Sequence, residues 1–150
     1  WDPVATKALT KEYKILGRAG DSPGIIIDGL FFSTEAISKR PEDIMRIIRS
    51  LIEARDFVNT NRDEAFEIMS KAEGLSKEEI ENGIRGVLLY GLEDNTKMFE
   101  KMEGKGTFYD TYQLTLNFYT ERGQVSKAPE YEEIVEPRFI MDLYREHQGK

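Results

Sequence analysis

The 150-residue chain has no cysteine, one histidine, one tryptophan and five prolines. Without cysteine there is no disulfide, no thiolate nucleophile and no cysteine-ligated metal. The lone His147 has no second histidine to share a metal with. It falls at the end of the last expected helix and reads as a helix-end residue satisfied by water or by the helix dipole. Long apolar runs are also missing: nothing approaches the roughly 18 consecutive apolar residues that a membrane-spanning helix needs, and no signal-peptide pattern occurs. The sequence opens on Trp1-Asp2-Pro3 rather than on methionine, so the expectation is that it starts inside a longer polypeptide, whose leader it would not show.

Positive charge is in short supply as well. Lys and Arg number 21 against 28 Asp and Glu, a net charge of −7, where a nucleic-acid surface needs clustered basic residues. The two short basic clusters, Lys39-Arg40 and Arg46 with Arg49, read as solvated helix faces. What remains is a globular balance, 39% hydrophobic and 33% charged, in a length that suits one ordinary domain with a core.

Along the chain, Asp2-Pro3 suits a helix start and predicts a short helix to about Leu9, since Asp caps and Pro fits the first helical position. Tyr13 to Leu16 reads as a short strand and Gly20-Asp21-Ser22-Pro23-Gly24 as a turn. The run Ile25-Ile26-Ile27 followed by Leu30-Phe31-Phe32 is short, β-branched and aromatic, which predicts a buried strand. From residue 33 the period becomes helical. Ser33 to Lys39 is a short helix, and Pro41 opens a long one with an apolar stripe of Ile44, Ile47, Ile48, Leu51, Ala54 and Val58, widened by Ile52 and Phe57. Asn61 with Glu64 reads as a capping box for a helix burying Ala65, Ile68, Met69 and Ala72 and ending at Gly74. Ser76 with Glu79 repeats the box for a helix through Ile80, Ile84, Val87 and Leu88. Further helices are expected over Glu93–Met102, from Thr107 with Asp110 to Gly123, and from Arg138 through Ile140, Leu143, Tyr144 and His147. Residues 124 to 137 read as a polar, extended connection.

Little of this carries chemistry. The acidic pairs Glu78/Glu79, Glu93/Asp94 and Glu132/Glu133 are sequence neighbours, which diverge by about 100° on a helix and rarely converge on one substrate. Gly104-Lys105-Gly106-Thr107 looks like the end of a phosphate loop, but the upstream spacing and the preceding strand are missing, so a helix-breaking turn is preferred. The aromatics Phe108, Tyr109, Tyr112, Phe118 and Tyr119 at helical spacing read as core. Trp1 is the one candidate ligand-binding residue: a flat apolar face just ahead of a helix N-terminus, whose free N–H groups suit a small anion or zwitterion. No catalytic residue, metal site or cofactor is expected, and an enzyme is the least favoured class.

The order of several segments resembles the C-terminal half of periplasmic solute-binding proteins of the nitrate/sulfonate/taurine ABC-transporter group. Trp1-Asp2-Pro3 is similar to that family's Trp-(Asp/Glu)-Pro segment, and Ile25 to Phe32 to its strand returning across the hinge. Ser33 to Glu42 resembles its Ser-x-Glu … Pro-Glu segment, and Glu53-Ala54-Arg55-Asp56-Phe57-Val58 the end of its long helix. Asn61, Asp63, Glu64, Ala65, Met69, Gly74, Leu75, Ser76, Glu78 and Glu79 follow its next pattern, Tyr119 to Pro129 a later one, and Glu136-Pro137-Arg138-Phe139 its closing segment.

The resemblance runs from Trp1 to about Leu143, and its ordered series is more telling than any one motif. It implies an α/β fold: the helix-rich C-terminal portion of a two-lobed, type II periplasmic-binding-protein-like molecule with few strands. Residues 1–24 would end the second lobe, and 25–150 would supply the return strand and the C-terminal helices of the first. The implied function is periplasmic or extracytoplasmic binding of a small organic or inorganic anion or related solute for ABC-transporter uptake. The implied partners are that solute, the transporter's membrane subunits, and either the missing N-terminal half or a second copy to cover the strand edge. Two other functions stay open: a ligand-sensing domain of a signalling protein, and a helical partner-binding domain.

Overall fold

The computed structural model describes residues 8–9, 11, 13–17, 21, 26–102, 104 and 106–149. Among them the regular elements are all helices: α1 (Thr34–Lys39), α2 (Pro41–Thr60), α3 (Arg62–Glu73), α4 (Lys77–Arg85), α5 (Leu92–Met98), α6 (Phe108–Glu121), α7 (Tyr131–Ile134) and α8 (Arg138–Gln148). The α/β expectation is therefore corrected: the described residues are all-α and contain no strand. Tyr13 to Leu16 and Ile26 to Phe32 are irregular, neither helical nor paired. Apolar, β-branched residues favour extended backbone, but a strand exists only where a ladder partner accepts its N–H and C=O groups.

Helix starts follow local chemistry closely. The Ser33 hydroxyl accepts from the Ala36 N–H at 3.2 Å and opens α1. At α4 the box is reciprocal: Ser76 Oγ accepts from the Glu79 N–H, and Glu79 Oε2 accepts from the Ser76 N–H at 2.8 Å. At α5, α6 and α7 an acid three residues into the helix reaches back to the N-cap amide: Asp94 to Gly91, Asp110 to Thr107 and Glu133 to Glu130. Each satisfies an amide that the helix leaves without a partner. The box expected at Asn61 does not form. Asn61 makes no capping bond, and its Oδ1 accepts from the Thr60 hydroxyl instead, because α2 runs on to Thr60 and leaves only one residue between the helices.

The chain divides into two units, one of residues 1–22 and 53–89, the other of 23–52 and 90–150; the division falls within α2. In the first, α3 packs on α4 and the buried apolar residues are Ala65, Phe66 and Ile80. Gly74 sits at φ +66°, a left-handed C-cap that a residue with a Cβ adopts only at a cost. The Ser70 hydroxyl donates to the Leu75 carbonyl across that turn. The helix expected to reach Leu88 stops at Arg85, with Gly86 as its cap. Val87 to Tyr90 leave it as an irregular segment, in which Arg55 Nε holds the Leu89 carbonyl at 3.0 Å.

In the second unit α5 packs on α8, and Ile44, Tyr131, Phe139, Ile140 and Leu143 form the core. Arg49 on α2 pairs with Glu146 on α8 at 2.7 Å, and Arg138 donates to the Ile37 carbonyl. The connection at 124–137 contains α7, a four-residue helix whose Tyr131 is buried; its period is too short to read from sequence.

Candidate functional site

Trp1, the ligand contact nominated from the sequence, lies outside the described residues, as do Asp2-Pro3 and most of the turn at 20–24. Among the described residues no group of three or more acids or histidines could hold a metal ion, and no helix is long and apolar enough to cross a membrane. His147 is exposed in the last turn of α8.

Four local arrangements have definite geometry. The first is the loop ahead of α6. Gly104 and Gly106 both have positive φ, and their N–H groups donate to the Asp110 carboxylate at 2.8 and 2.7 Å, joined by Thr107 N–H at 3.3 Å. The loop that looks like a phosphate cradle thus closes on the chain's own carboxylate. Thr107 is buried and its hydroxyl donates to the Met102 carbonyl, which sets the loop's other edge.

The second is the ring cluster around Tyr131. Phe108, Tyr109 and Tyr112 surround it with centroids 5.1 to 6.1 Å away, mostly edge-on, and Phe99 stacks edge-on against Phe108. These are the geometries that aromatic quadrupoles prefer. Burial pushes the Tyr131 phenol's pKa up, and its hydroxyl has no hydrogen-bond partner. At the cluster's edge Lys101 lies over the Tyr109 ring and pairs with Glu132 at 2.6 Å. That hydrogen bond raises the pKa of the ammonium and lowers that of the carboxyl.

The third is an open groove of about 440 Å³ between the start of α2 and the start of α8, lined by Pro41, Met45, Arg46, Arg49, Arg138 and Phe139 together with Glu42 and Asp142. Its arginines do not converge on an empty point. Arg46 pairs with Glu42 and Asp43, Arg49 with Glu146, and Arg138 with Glu136 while lying over Phe139. Exposed pairs of this kind contribute little energy each, and together they leave the groove close to electroneutral.

The fourth is apolar exposure. Among the described residues eight hydrophobic side chains are buried, while nineteen large ones are exposed. The exposed set includes Ile26 (69%), Leu30 (50%) and Phe31 (89%) in the irregular segment before α1, Ile47 and Leu51 on α2, Val87 to Tyr90 after α4, and Leu114, Phe118 and Tyr119 on α6. Scattered exposed leucines are ordinary in folded proteins, but whole runs of them mark surfaces that contact something.

The apolar stripe of the long helix is thus only partly core: Ile44 is buried, whereas Ile47 and Leu51 on the same stripe are not. The aromatic set expected to be core divides, with Phe108, Tyr109 and Tyr112 inside the ring cluster and Phe118 and Tyr119 outside it. Tyr131, the centre of that cluster, does not stand out in the sequence; the signal that could reveal it is a lone aromatic flanked by acids within a proline-punctuated connection. Comparison of the chain with protein-family models, curated proteins and solved structures finds no match to any of them.

Proposed function

We propose that this chain serves in the binding of a small solute for uptake by an ABC transporter, as the part of a binding protein that supplies mainly helical framework together with one ligand contact, Trp1. The observation that carries the reading is the excess of exposed apolar side chains over buried ones, among them Ile26, Leu30 and Phe31 ahead of α1 and Ile47 and Leu51 on α2. Such a surface suits a body that is completed by further polypeptide. The ordered resemblance to the nitrate/sulfonate/taurine group supports the same reading from sequence, and several of its landmarks fall at helix ends (Ser33 caps α1, Pro41 opens α2, Gly74 closes α3, and Ser76 with Glu79 opens α4), whereas the segment likened to the return strand is irregular. Trp1 is the residue nominated for the solute, the membrane subunits of the transporter are the partners, and the periplasm is the location.

The test is calorimetry on the gene-encoded polypeptide that contains these residues, against nitrate, alkanesulfonates, taurine and thiamine-pyrimidine precursors. Saturable binding of one of them, weakened by Trp1→Ala, is the expected result. No binding across the whole set overturns the proposal.

Two observations favour a second reading, a helical partner-binding domain: every described regular element is a helix, and α6 presents Leu114, Phe118 and Tyr119 to solvent. In that case thermal stability rises on adding a protein partner and is indifferent to all the solutes above.

A further inference from the structure

We draw no further inference here: the strongest candidate, the exposed apolar surface of α6 formed by Leu114, Phe118 and Tyr119, is unpartnered, and nothing in the structure shows what covers it.

Discussion

Helices α6 and α8 belong to the same unit and make opposite use of their apolar residues. α8 is 11 residues long and buries Phe139, Ile140 and Leu143. α6 has 14 residues, is richer in apolar and aromatic side chains, and fully buries none of them. Distribution, not quantity, separates the two. In α8 the apolar positions 139, 140, 143 and 144 share one face and the charges at 138, 142, 145 and 146 lie off it, so the helix packs one side, mainly against α5. In α6 the rings of Phe108, Tyr109 and Tyr112 occupy one side. Leu114 and Phe118 lie well round the helix from them at about 100° per residue, and no charge falls between Asp110 and Glu121. A helix that is apolar on several sides needs several neighbours, and here it meets one cluster.

Truncating the buried face of α8 should have the largest effect. Leu143→Ala is expected to cost about 2–5 kcal/mol in urea unfolding, whereas Leu114→Ala on α6 should stay within about 0.5 kcal/mol. Equal losses at the two positions would erase the distinction between the helices.

The start of α6 can be tested separately. Asp110→Ala removes the acceptor for three backbone amides and is expected to cost about 1–3 kcal/mol. Asp110→Asn, which keeps one acceptor oxygen, should recover part of that loss, and an unchanged midpoint for the alanine variant would show that the cradle contributes nothing. At α4 the effect is smaller: Ser76→Ala should cost about 1 kcal/mol, the usual worth of an N-cap hydroxyl. The same cap has a pH signature. Hydrogen bonds from the Ser76 amide and hydroxyl hold the Glu79 carboxyl below its ordinary 4.5. A carboxyl lowered in the folded state stabilises above its unfolded pKa, and that contribution is lost as the pH falls through the folded value. Helical circular dichroism followed from pH 6 to pH 3 should lose less in Glu79→Gln than in the parent chain.

The smallest expected change is at Tyr131. Its ring is central to the cluster, but its hydroxyl is buried without a partner. Tyr131→Phe keeps the ring contacts and removes an unsatisfied polar group, so the melting temperature should hold or rise slightly. A clear fall would mean that the hydroxyl is satisfied in solution.

Helix boundaries are legible wherever a local, short-range signal sets them. The Ser76/Glu79 box, the Thr107/Asp110 start and the Gly74 stop all involve residues within a few positions of one another, so their chemistry is complete in the sequence. Asn61 shows the limit: the same pattern fails when the preceding helix runs up against it. Val87 and Leu88 show another. They continue the helical period of Ile80 and Ile84, yet Gly86 ends α4 and they emerge exposed. The candidate site is less legible still, since Trp1 is nominated from its neighbours alone and the ring cluster at Tyr131 joins residues that are remote along the chain.

What these 150 residues determine by themselves is local: the helix starts that a nearby cap sets, such as Ser33, Ser76 and Thr107, the stop at Gly74, and the absence of cysteine chemistry. Apolar segments such as Ile26 to Phe32 are a different matter: their β-branched residues favour a strand, but only a neighbouring ladder makes one, and here the segment is irregular. Tertiary structure also decided which members of an apolar stripe count as core, burying Ile44 and leaving Ile47 and Leu51 open. Burial is a property of what packs against a side chain, and a period in the sequence specifies only the face that is ready for it.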